Sequence, residues 1–84
     1  NYPNPFNPVT NINYEMPFDG TIKIVVHDNL GREVRTLVSG AVMAGYYKAE
    51  FNASSLPSGI YFYRVNAESG GKSYEKVFKM MLVK

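Results

Sequence analysis

Leu56-Pro57-Ser58-Gly59-Ile60-Tyr61-Phe62-Tyr63-Arg64-Val65-Asn66-Ala67 is the stretch on which the fold turns. A Pro-Ser-Gly group opens it, and such residues favour turns. The run that follows is rich in aromatic and β-branched residues, which suit a pleated surface. Tyr61, Tyr63, Val65 and Ala67 recur at every second position and so share one face. That period predicts a half-buried strand over Ile60–Ala67.

The same period continues on both sides. Downstream, Ser69-Gly70-Gly71 turns the chain into a strand over Ser73–Val83, with Phe78, Met80 and Leu82 to one side. Upstream, Asn52–Gly59 is a polar loop, preceded by a strand over Tyr46–Phe51 in which Tyr47, Ala49 and Phe51 share a face. Before that, Asp28-Asn29-Leu30-Gly31 reads as a tight hairpin turn. Asp and Asn bond their own backbone there, and Gly31 takes positive φ at little cost. The turn joins Thr21–His27, with Ile22, Ile24 and Val26 inward and Lys23, Val25 and His27 outward, to Arg32–Val38, closed by Ser39-Gly40. A first strand over Val9–Met16 puts Ile12, Tyr14 and Met16 on one face and ends at Pro17 and Asp19-Gly20.

Turn signals thus recur about every 10 residues, a spacing expected of an all-β sandwich rather than of alternating helices and strands. Seven Gly and five Pro are spread so that few segments could hold an average helix. The reading is an Ig-like β-sandwich of about seven antiparallel strands. Leu56, Gly59 and Tyr61 follow the spacing of the tyrosine corner of such sandwiches, where a Tyr near a strand start bonds back to the preceding corner. Tyr63 would then stand where those domains carry their second Cys. Residues 1–84 make one domain, with 1–8 a proline-rich lead-in carrying prolines at 3, 5 and 8. The chain shows no initiator Met and no basic-then-apolar export order at Asn1, and is expected to be cut from a longer protein.

Composition removes most chemistry. There is no cysteine, hence no disulfide and no thiolate metal site. The single histidine, His27, lacks companions at metal-ligand spacing, and reads as a solvent-facing strand residue. Asp28, Asn29 and Glu33 miss the oxygen-ligand pattern of calcium loops. Asp19, Asp28, Glu33, Glu50, Glu68 and Glu75 fall in turns or on polar faces, with little volume for the cleft that paired carboxylates need. No glycine spacing suits a phosphate. The chain is therefore expected to be no enzyme, with no cofactor. No apolar run approaches the ~20 residues that span a bilayer.

Two surface features remain. Seven tyrosines could form a sugar-binding platform, but Tyr14, Tyr47, Tyr61 and Tyr63 fit inward faces, leaving Tyr2, Tyr46 and Tyr74 as possible exposed rings. Carbohydrate binding is therefore a weak alternative. Charge divides unevenly: residues 1–71 hold five Lys/Arg and six Asp/Glu, whereas 72–84 hold Lys72, Lys76, Lys79 and Lys84 against Glu75. The formal net charge of +2 is thus −1 for the body and +3 for the closing strand. Nucleic acid would want more Arg and a broader patch. Lysines that guard an edge against aggregation are the simpler reading.

Taken together, several segments resemble the type IX secretion system C-terminal sorting domain, also called the Por secretion tail. Asn1-Tyr2-Pro3-Asn4-Pro5-Phe6-Asn7-Pro8 with Thr10, Ile12 and Tyr14 is similar to its opening motif. Val26-His27-Asp28 through Gly31-Arg32-Glu33-Val34 and Leu37-Val38 is similar to its middle motif, and Ala44-Gly45-Tyr46 to the segment after it. Leu56–Val65 is similar to the third motif and Lys79-Met80-Met81-Leu82-Val83-Lys84 to the closing one. The central and third motifs are also similar to the Ig-like domain of the flagellar hook-capping protein, where they follow Trp-Asp-Gly; here Phe51-Asn52-Ala53 precedes the third motif.

The resemblance implies a seven-stranded Ig-like domain ending an exported protein of Bacteroidetes or relatives. Such a domain directs its covalently attached cargo from the periplasm across the outer membrane, and a sortase-like cysteine protease commonly removes it. The cargo is then secreted or held at the cell surface. On this footing Lys79, Met80, Met81, Leu82, Val83 and Lys84 are expected to carry the sorting recognition. Pro3, Asn4, Pro5, Phe6, Asp28, Gly31, Gly59 and Tyr61 match positions expected to be structural. A structural or sugar-binding accessory role on an extracellular enzyme, or a hook-capping role, stays open at this point.

Overall fold

The computed structural model describes residues 9–83. Pro3, Asn4, Pro5, Phe6 and Lys84 lie outside them. Six strands form: β1 Val9–Met16, β2 Gly20–Asp28, β3 Glu33–Val42, β4 Gly45–Asn52, β5 Gly59–Ser69 and β6 Lys72–Leu82. All pairing is antiparallel. A four-stranded sheet in the order β3-β2-β5-β6 faces a two-stranded sheet of β1 and β4, which makes the β-sandwich.

The six strands of the described residues come close to the expected seven, and each strand-like run of the sequence becomes one strand. Ser39-Gly40 does not close β3. Ser39 pairs with Lys23 and Gly40 with Ile22, so the ladder to β2 carries the strand on to Val42. A central partner strand overrides the local turn preference of those two residues.

The core explains why these runs pair as they do. Ile22, Ile24 and Val26 of β2 alternate inward, as do Tyr61, Val65 and Ala67 of β5. Ile12 and Met16 of β1, with Ala49 and Phe51 of β4, cover them from the other sheet. Two clusters result. Ile12, Val26, Phe51, Ala53 and Tyr61 pack at one end, and Met16, Ile22, Ile24, Val65 and Ala67 at the other. Tyr63 and Leu37 are packed against both and join them.

Val25 departs from its expected outward exposure and is buried. Its strand is central, so Thr36 of β3 and Arg64 of β5 flank it on both sides. Gly20 meets a demand that its reading as a turn residue did not disclose. A Cβ there would collide with the Glu68 carbonyl and the Ser69 side chain, so only glycine allows β5 to approach this closely.

The crossings between sheets are pinned. The Ala44 amide, at the β3–β4 crossing, donates to Asp19 Oδ1 at the β1–β2 crossing, 2.7 Å away. Tyr47 Oη donates to the Met43 carbonyl at 2.6 Å. Arg35 of β3 donates to the Asn52 carbonyl and lies 5.7 Å from the centroid of the Phe51 ring. These contacts hold β4 on the β3 side of the sandwich, away from β6.

Candidate recognition strand

The middle hairpin is built on one carboxylate. Asp28 Oδ1 accepts from the amides of Leu30 and Arg32, each at 2.9 Å, and Asp28 Oδ2 accepts from Arg32 Nε at 2.8 Å. The Gly31 amide donates to the Asp28 carbonyl at 3.0 Å, and Gly31 takes φ 85, the left-handed conformation that a residue with a Cβ resists. These bonds, led by that from the Arg32 amide, hold the Asp28 carboxyl below its ordinary pKa.

The loop before β5 closes on the expected tyrosine corner. Tyr61 is buried, and its Oη donates to the Pro57 carbonyl at 2.7 Å. The Leu56 amide donates to the Ala53 carbonyl at 3.0 Å, tightening the same loop. Tyr63 is half-buried and stacks on Phe78 of β6 with ring centroids 4.9 Å apart. Burial pushes the Tyr63 hydroxyl up in pKa.

Sheet register gathers motif residues that are far apart in sequence. Asp28 pairs with Tyr61, and Tyr61 pairs with Met80, so the three share one row across β2, β5 and β6. In the next row His27 pairs with Phe62 and Phe62 with Lys79; Gly59 pairs with Leu82. The hairpin, the corner and the closing strand therefore meet at one end of one sheet.

β6 is an edge strand, and none of its residues is fully buried. Its alternation divides the closing residues. Met80 and Leu82 are half-buried against the cluster containing Phe51 and Tyr61. Lys79, Met81 and Val83 point the other way and are exposed, Met81 at 62% and Val83 at 45%. Val77, at 55%, extends that displayed row. Single exposed apolar side chains are ordinary; here they form a row along an unpaired edge strand. Val77 belongs to that row and was not singled out as a recognition residue, because exposure on a strand depends on which neighbours are missing.

Other candidates disperse. Tyr2 lies outside the described residues, and Tyr74 is half-buried against the second core cluster rather than exposed, so that of these three rings only Tyr46, at 84% exposure, is exposed among the described residues and no platform forms there. Tyr14 and Tyr47 stack on each other at 5.5 Å and are half-buried rather than fully buried. Burial, and then its neighbour Tyr47, raise the Tyr14 pKa. His27 is half-buried, not freely solvent-facing. Among the described residues no three His, Cys, Asp or Glu side chains gather as a metal site, and no helix is long and apolar enough to cross a membrane.

Comparison with protein families decides among the readings. A model described as the secretion system C-terminal sorting domain, the Por secretion tail, matches residues 1–80. The chain belongs to this family. Searches of curated proteins and of solved structures give no match. The sorting domain is a C-terminal signal for the type IX secretion system, and marks proteins for the cell surface or for release through the outer membrane. Such a domain acts through the type IX machinery and on an attached cargo. The matched span includes Lys79 and Met80, and Met81–Lys84 follow it.

Proposed function

We propose that this sorting domain is read by the type IX machinery at its closing strand, through Lys79, Met81 and Val83, with Met80 and Leu82 as anchors and Lys84 completing the signal. The observation that carries the reading is the exposed row on β6, aligned with the family's hairpin and corner motifs in one sheet. A non-catalytic, protein–protein role follows. The pairing of a rigid body with a displayed strand suits recognition, which needs pre-organised contacts rather than a cleft.

On this account residues 1–84 are one domain, residues 1–8 join it to the cargo, and a sortase-like cysteine protease removes it after export. The cut then falls before Asn1 or within the proline-rich lead. Kinship with the hook-capping Ig-like domain rests on the segments around Asp28–Val34 and Leu56–Val65. Those are the hairpin and the corner, which serve the fold, and no hook-capping role is drawn from them.

The test is a periplasmically exported reporter fused ahead of residues 1–84 in a type IX host. Removing Lys79–Lys84 is expected to abolish surface delivery and leave the fusion in the periplasm. Undiminished delivery would refute the assignment.

A further inference from the structure

The four-stranded sheet has two edges, and only one is irregular in its backbone pairing. β3 joins β2 through two register shifts, between Ile24 and Val25 and between Val26 and His27. Irregularities of this kind bend an edge and spoil it as a template. β6 pairs with β5 without a shift from Ser69↔Lys72 to Gly59↔Leu82, and its 11 residues include neither Pro nor Gly. A long regular edge offers a row of backbone N–H and C=O groups to a further strand.

The side chains along that edge say which strand fits. Lys76-Val77-Phe78-Lys79 places a lysine and an apolar residue on each face: Lys76 and Phe78 inward, Val77 and Lys79 outward. Across β5, Lys76 meets Val65 and Lys79 meets Phe62, which offer no charge. Glu75 is occupied by Arg64 at 3.1 Å. Lys76 Nζ lies 5.9 Å from the centroid of its neighbour Phe78, and no carboxylate pairs with Lys72, Lys76 or Lys79 among the described residues. Like charges directly opposite destabilise a strand pair, and opposite charges favour it.

We infer that the free edge of β6 accepts an extended segment of a partner protein by strand addition, and that this segment carries the pattern acidic–apolar–apolar–acidic. Its two acids stand opposite Lys76 and Lys79, one on each face, and its apolar pair lies against Val77 and Phe78. The pattern reads the same in both directions, so it serves a parallel or an antiparallel partner. Lysines on both faces of this edge favour an acidic strand over a basic one. The inference rests on the proposed role of β6 in recognition and adds the chemistry of what is recognised.

The experiment is an NMR titration of the labelled 84-residue chain with the synthetic peptide Thr-Val-Glu-Val-Val-Glu-Val-Thr and its counterpart bearing Lys for Glu. Saturable shifts and slowed exchange are expected at alternate β6 amides with the Glu peptide, with at least about tenfold weaker binding of the Lys peptide. Lys76→Glu with Lys79→Glu, both at exposed positions, is expected to keep the fold and reverse the preference. No binding, shifts on β3 instead of β6, an unreversed preference, or dimerisation through β6 would each overturn strand addition. Reporter delivery separates the two ideas. If truncation of Lys79–Lys84 still abolishes delivery when the peptides fail to bind, strand addition is wrong and the sorting strand stands. Peptide pairing with delivery intact after truncation would instead leave the edge a binding site and refute the sorting assignment.

Discussion

One hydroxyl ties the loop before β5 to the sheet. Tyr61 spends its ring in the core cluster and its Oη on the Pro57 carbonyl. Replacing it by Phe keeps the ring and removes the donor. We expect Tyr61→Phe to destabilise the domain by about 1 kcal/mol, the usual net worth of such a bond. The check is a shift in the denaturant midpoint with an unchanged slope. The corner was legible from Leu56, Gly59 and Tyr61 because a local spacing fixes it. Gly20 was not legible in the same way, since its need for a missing Cβ comes from Glu68 and Ser69, far along the chain.

The hairpin between β2 and β3 depends on the ionised form of Asp28. Hydrogen bonds from the Arg32 and Leu30 amides favour the carboxylate, so the folded pKa lies below the unfolded one. The sign follows from linkage: this contribution is fully present above the unfolded value and is lost as pH falls through the folded value. Acidification below the ordinary aspartate range is therefore expected to loosen the turn first. The Leu30 and Arg32 amide resonances should titrate together with the Asp28 carboxyl, and Asp28→Asn should remove that step. A titration of these amides at or above the ordinary aspartate value would contradict the bonding.

Elements were more readable than their limits. Alternation placed five of the six strands and the Asp28–Gly31 turn placed β3, because period 2 and turn chemistry are properties of the chain itself. The extension of β3 through Gly40 and the burial of Val25 were hidden, because both depend on β2 being the middle of a sheet. The charge of β6 was visible and its lysines read as guarding an edge, where the sheet order places it; the unshifted pairing that keeps this edge regular was hidden, because it depends on β5.

At the scale of the molecule, a core shared by two sheets frees one strand from duty as core. β2 and β5 carry the buried rows, and β1 and β4 close over them. β6 is left with half-buried anchors and an exposed row. A strand built this way can be altered on its displayed face without unfolding the domain, whereas Phe51→Ala in the core should cost roughly 3–5 kcal/mol. That separation lets recognition be tested apart from folding. The most direct measurement is surface delivery of the reporter carrying Lys79→Ala with Met81→Ser, made alongside a thermal melt of the same domain. The account predicts lost delivery with an unchanged melting temperature. Delivery at the wild-type level from that folded variant would contradict it.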